Sequence, residues 1–212
     1  MSLPMYLSKL VLNERHHRVY RDLGNAHALH QRIMQGFPDE SREQPRFDWH
    51  ILYRYEPDNL AVLVQSTIQP DWNQLPEDYL QEVKCHSAEV MAAMVQNLKS
   101  GRRLQFRLRA NPSKRDAKTG KVLGIFRQAD QVNWLDRKGT QHGFRTHGID
   151  TVSSPNILGF KGKGKPPIKI TTVLYQGVLE ILDVDLFTRA LVEGIGRGRS
   201  YGCGLLSIAR CN

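Results

Sequence analysis

The chain has 212 residues, 40% of them hydrophobic and 24% charged, with 30 lysines and arginines against 21 acidic residues and a formal charge of +9. That composition suits one large or two small globular domains and excludes a disordered tail, while the charge calls for an acidic partner: nucleic acid, an anionic membrane or an acidic protein. No run of about 18 apolar residues exists and no basic segment leads into an apolar one at the start, so neither a membrane span nor a secretion signal is expected, and the cytoplasm is the expected location.

In chain order, Tyr6 to Leu12 alternates as a half-buried strand does, and Asn25 offers an N-cap to a helix running to about Gln35, stopped by Gly36 and Pro38. His50 to Tyr55 and Leu60 to Ser66 are β-rich runs joined by the turn formers Glu56-Pro57-Asp58-Asn59, a hairpin pattern. Tyr79 to Cys85 has strand character and Ala88 to Leu98 helical composition, before Lys99-Ser100-Gly101 breaks the pattern. Arg103 to Ala110 sets Leu104, Phe106 and Leu108 on one face and Arg103, Gln105, Arg107 and Arg109 on the other, a strand with a basic side. A helix is expected over Ala129 to Lys138 and a strand over Phe144 to Ser153. Strands over Ile168 to Tyr175 and Val178 to Leu182 are expected around a Gln176-Gly177 turn, then a helix over Val184 to Glu193 and a last strand over Leu205 to Ala209.

The two halves carry the same order of elements, which predicts an α+β protein of two tandem ferredoxin-like (βαββαβ, RRM-like) domains, residues 1–98 and 101–212. The second half follows the pattern more fully than the first, which lacks a clear second helix and fourth strand.

The densest local signal is Gly194-Ile-Gly-Arg-Gly-Arg-Ser-Tyr-Gly-Cys-Gly204, five glycines in eleven residues between a helix and a strand. Glycine reaches φ > 0 and lets a ligand approach the backbone, and Arg197 and Arg199 add positive charge, so the segment reads as an anion cradle; a helix cap followed by a bulged turn is the structural alternative. The basic strand continues through Lys114, Arg115, Lys118 and Lys121, with same-face cations about 7 Å apart, a spacing comparable to a phosphate ladder. Lys161-Gly-Lys-Gly-Lys165 is a flexible basic loop able to close over an acidic ligand.

Of the eight histidines, only His27 and His30 combine helical i, i+3 spacing with a place near a helix N-terminus, whose dipole disfavours the imidazolium. Leu29 and Ile33 set the buried stripe, leaving His30 on its border. No third ligand stands at a diagnostic distance from this pair, and Cys85, Cys203 and Cys211 form no CxxC pattern, so no metal and no cofactor is expected. GxxxxGK[ST], a GxGxxG between an early strand and its helix, and the aromatic RNP1 pattern are all missing, which disfavours nucleotide hydrolysis, dinucleotide chemistry and a standard RNA-recognition module.

Several separated segments are together similar to the CasE family of CRISPR repeat-processing endoribonucleases from type I-E Cascade complexes. They are Met5-Tyr-Leu-Ser-Lys-Leu10, Arg21-Asp-Leu23, Leu29-His30, Phe106-Arg-Leu-Arg-Ala-Asn-Pro-Ser-Lys114, and Gly196 to Ser207, with the spacing Gly194-x-Gly196, five residues, then Gly202-x-Gly204. The resemblance spans nearly the whole chain. It implies tandem ferredoxin-like domains and a metal-independent cut in the stem-loop of CRISPR repeat RNA that leaves a 2′,3′-cyclic phosphate and a 5′-hydroxyl, with the product kept bound beside other Cascade subunits.

On the same resemblance His30 matches the catalytic histidine, as either base or acid. Some members carry tyrosine where this chain has His27, which leaves that residue to hold imidazole or phosphate or to complete an acid/base pair. Arg32, Lys161, Lys163 or Lys165 would supply cations to the transition state, and Arg107, Arg109, Lys114 and Arg115 would grip the stem through its phosphates and A-form shape. A non-catalytic RNA-binding subunit, with His30 merely packed, is the alternative reading of the same basic faces.

Overall fold

The computed structural model describes residues 4–39 and 45–211. The chain forms two compact units, one made of residues 1–96, 157–169 and 200–202, the other of 97–156, 170–199 and 203–212. The main course of the chain thus changes unit just before the Lys99-Ser100-Gly101 break, while two short segments of the second half pack with the first unit.

The first unit runs β1 (Tyr6–Leu12), α1 (Val19–Leu23), α2 (Ala26–Met34), α3 (Pro45–Asp48), β2 (Leu52–Glu56), β3 (Ala61–Ser66), β4 (Leu80–His86) and α4 (Ala88–Gln96). Its sheet has the order β2-β3-β1-β4 with every neighbouring pair antiparallel. That is the ferredoxin-like order, with the first strand in the middle. Ser8, Leu10 and Leu12 of β1 face inward, and the core joins Leu10 and Leu12 to Leu29, Ile33, Ile51, Tyr53, Val62, Val64 and Trp72. Between β3 and β4 the usual second helix is reduced to one 3-10 turn, Trp72–Gln74. Pro70 and Pro76 bracket that stretch, and a helix longer than a turn would need the N–H groups that proline lacks. β4, the fourth strand that was unclear from the sequence, extends through His86 as an exposed edge.

The second unit contains β5 (Arg103–Ala110), the hairpin β6 (Ser113–Arg115) and β7 (Val122–Gly124), α5 (Gln128–Gln141) and β8 (Phe144–Ser153). In chain order a two-stranded ribbon, β9 (Ile157–Gly159) with β10 (Ile168–Ile170), follows, its residues 157–169 belonging to the first unit; the second unit resumes with β11 (Val173–Ile181), α6 (Val184–Glu193) and β12 (Leu206–Arg210). The sheet order β12-β5-β11-β8 repeats the ferredoxin-like arrangement, here with both helices in place. Leu104, Phe106, Leu108 and Ala110 of β5 are buried, as the alternation predicts. Among the described residues no helix is long and apolar enough to cross a membrane.

One expected turn is absent. Gln176-Gly177 lies inside β11, which runs unbroken from Val173 to Ile181 between β5 and β8. Gly177 marks a bulge rather than a reversal: the register with β8 shifts between Gly177 and Val178, and a Cβ on Gly177 would stand 2.1 Å from the carbonyl oxygen of Gly148. The glycine is there because another backbone occupies the place of its side chain. Gly177→Ala is expected to lower unfolding stability by about 3 kcal/mol in urea titrations. Gly120→Ala, at φ 68° with open space around it, should cost only about 1 kcal/mol.

Candidate functional site

The site is built on α2 of the first unit. Asn25 caps the helix by accepting from the His27 N–H at 3.1 Å, and the same side-chain oxygen accepts from the Phe160 N–H at 2.9 Å. Gly159 packs so closely on the cap that an added Cβ would lie 3.2 Å from the His27 nitrogen. These contacts fasten the start of the basic loop to the helix N-terminus. Lys161, one residue further on, therefore acts electrostatically on His30.

Leu29 and Ile33 are buried and His27 and His30 share the neighbouring face, half-buried. The His30 ring lies nearly parallel to that of Tyr53, with centroids 6.5 Å apart and planes 16° apart, and meets Tyr201 edge-on at 6.1 Å. Tyr201 arrives from the glycine-rich segment. Its neighbour Ser200 accepts a 2.8 Å hydrogen bond at its backbone oxygen from the Tyr53 hydroxyl, and Gly202 sits against the Tyr53 ring. All five glycines from Gly194 to Gly204 have φ between 77° and 93°, the left-handed backbone that gives the segment its tight path.

The Nδ1 atoms of both His27 and His30 are buried with no hydrogen-bond partner among the described residues. Burial, followed by the positive charges of Arg46, His27 and Lys161, pulls the His30 pKa down to about 4, so the ring is neutral at pH 7. His27 and His30 stand at one end of an open groove of about 1130 Å³.

Arg32, expected near the reacting phosphate, lies elsewhere. Its guanidinium is buried, donates to Asp22 at 2.8 Å and to Gln35 at 2.7 Å, and stacks on the Tyr79 ring at 5.0 Å. It points into the first unit's interior because helical periodicity sets it beside Ile33 on the inward face. Arg46, which no spacing in the sequence singled out, is the one arginine among the described residues that lines the groove, and it acts on His30. Tyr53 and Tyr201 were also missed. The one available signal was an aromatic residue inside a run of glycines.

Lys163 and Lys165 are exposed in the loop after Lys161. In the second unit Arg107 and Arg109 lie on the polar side of β5, with Arg109 donating to the Pro155 oxygen at 2.7 Å. Lys114 and Arg115 are exposed on β6, where Arg115 donates to the Gly120 oxygen at 2.7 Å. Arg197 is exposed and itself forms an isolated antiparallel β-bridge with Asn111, whereas Arg199 is half-buried, donates to the Gly196 oxygen at 3.1 Å, and has its pKa lowered by that burial. Among the described residues no three His, Cys, Asp or Glu side chains converge as metal ligands would.

Two α+β units with the ferredoxin-like strand order, one bearing a neutral histidine in a groove and the other an arginine-lined strand, define a tandem ferredoxin-like protein equipped for an anionic ligand. Residues 5–210 match the family described as CRISPR associated protein, and the chain belongs to that family. It is 34% identical to the CRISPR-associated endoribonuclease Cse3 of Thermus thermophilus, over 97% of this chain and all of the relative. It is 32% identical to the CRISPR system Cascade subunit CasE of Escherichia coli K12, over 97% of this chain and 99% of the relative. Among solved structures, Thermus thermophilus Cse3 bound to an RNA representing a pre-cleavage complex superposes with a TM-score of 0.80 at 33% identity, covering 97% of this chain and 99% of that one.

The buried pair beneath α2 yields a stability test. Asp22→Ala strands the Arg32 charge in the interior and is expected to cost about 3 kcal/mol in chemical denaturation, because breaking a buried pair leaves an uncompensated ion. The double variant Asp22→Ala/Arg32→Met should recover most of that loss.

Proposed function

We propose that this chain is an endoribonuclease that cleaves the stem-loop of CRISPR repeat RNA in the precursor transcript and stays on its product as a Cascade subunit in the cytoplasm. The observation that carries the reading is His30, held neutral at the end of a groove with Arg46 and Lys161 acting on it. A neutral imidazole is ready to take the 2′-hydroxyl proton as the 2′-oxygen attacks the adjacent phosphorus, and with Nδ1 sealed the proton passes to Nε2. The P–O5′ bond then breaks, leaving a 2′,3′-cyclic phosphate, and the departing 5′-oxygen takes a proton from His27, on the same helix face.

Arg46 and Lys161 offset the charge that builds on the phosphorane, the part expected from the sequence of Arg32, Lys161, Lys163 or Lys165. Arg107, Arg109, Lys114 and Arg115, with Lys163, Lys165, Arg197 and Arg199, hold the RNA backbone.

Two measurements test this. In single-turnover assays with the cognate repeat and EDTA present, the wild type should cut, and His30→Ala should be slower by about 100-fold or more with RNA affinity retained. Cutting by His30→Ala at the wild-type rate would sink the assignment and favour a packed histidine in a non-catalytic subunit. The second is the pH profile of kcat/KM, which reports the free enzyme. Since the folded-state pKa of His30 is depressed to about 4, the base form persists as pH falls from 7 to 5, so the profile should show no loss there and drop only near pH 4. An acid limb centred at the ordinary histidine value would contradict the buried, neutral His30.

A further inference from the structure

We propose that the groove beside His30 is a subsite for one unpaired nucleotide adjoining the scissile phosphate, with Phe47 as the stacking surface for its base. This rests on the reading of His30 as the reacting group.

The groove follows α2. From His30 to Met34 the helix advances about 6 Å, and the groove volume of about 1130 Å³ lies just above the range of about 300–1,000 Å³ for sites that take a single small ligand. Its two ends differ chemically. His27 and His30 mark one end, where Arg46 also acts. The other end is marked by Asp71, whose N–H donates to the Gly36 oxygen at 2.8 Å, just past the C-terminus of α2.

The Asp71 carboxylate accepts from the Asn73 N–H at 3.1 Å, from the Asn73 side chain at 3.0 Å and from Gln74 at 2.8 Å. Those bonds hold its pKa below the ordinary aspartate value and use three of its roughly four acceptor positions. An ionised carboxylate with one acceptor position left repels phosphate but suits the exocyclic amine of cytosine, adenine or guanine. The groove is therefore polarised: a phosphate fits at the His30 end and a base edge at the Asp71 end. The amides of Gln31 and Gln69 line the wall between them.

Phe47 also lines the groove, and 56% of it is exposed. Its ring has His50 at 6.3 Å as a tilted neighbour, and it takes no part in the first unit's core cluster. An aromatic ring left that open beside a polar wall is the arrangement by which unstacked bases are held in RNA recognition. Folding gains little from it there.

The test uses cognate repeat RNA made uncleavable by a 2′-deoxy sugar at the cut, with an abasic site placed on either side of the scissile phosphate in turn, and measures affinity for wild type, Phe47→Ala and Phe47→Trp. Stacking on one ring predicts that wild type loses about tenfold or more with one of the two abasic RNAs. Phe47→Ala should show the same loss on intact RNA and no further loss on that abasic RNA, whereas Phe47→Trp should bind intact RNA as wild type does. The proposal is overturned if Phe47→Ala binds intact RNA normally, or if the two losses add. These affinities do not depend on cleavage. Failure of the His30 assignment would therefore leave the Phe47 pattern standing, and loss of the pattern would leave the His30 assays untouched.

Discussion

The site depends on one hydrogen bond, from the buried Tyr53 hydroxyl to the backbone oxygen of Ser200. A tyrosine that is only 1% exposed must find an acceptor for its hydroxyl, and the tip of the glycine-rich segment supplies it. The contact holds residues 200–202 on the first unit, 147 positions away in sequence from Tyr53, and sets Tyr201 against His30. Glycine is required where the segment meets that ring: Gly202 has φ 83° and its missing Cβ would lie 3.3 Å from Tyr53. The glycine spacing, read from sequence as an anion cradle, here serves to enclose a histidine.

Enclosure sets the electrostatics. Burial is the largest cause of the low His30 pKa, and Arg46, His27 and Lys161 act in the same direction. Arg32 does not add to them, since its charge is matched by Asp22 within the core. The result is a neutral base in a cationic surrounding. A phosphate entering that surrounding would meet positive charge already in place, and its own charge would favour the imidazolium. Those residues disfavour protonation of His30 throughout, and it is the charge of a bound phosphate that would offset them.

Much of the fold was legible because alternation and helical periodicity are local. β5, β8 and α6 end where the pattern of apolar residues ends, since each sets one face against a core. Reading failed where a residue's role depended on a partner remote in the chain. Gly177 resembles a turn glycine until the Gly148 backbone fills its side-chain position. Arg32 resembles a free cation until Asp22 and Tyr79 are in place around it. Residues 157–169 belong by order to the second half, yet Asn25 binds Phe160 on both its backbone groups and ties them to the first unit.

By itself the sequence determined the basic charge, the two repeats of element order, the place of His27 and His30 on one helix face, and the glycine spacing that pointed to the family, because all of these are properties of residues near one another. Only the tertiary structure decided what surrounds His30. Tyr53, Arg46, Lys161 and Tyr201 come from four separate stretches of chain. A histidine's protonation depends on burial and on charge in space, and neither is set by the neighbours it has in sequence.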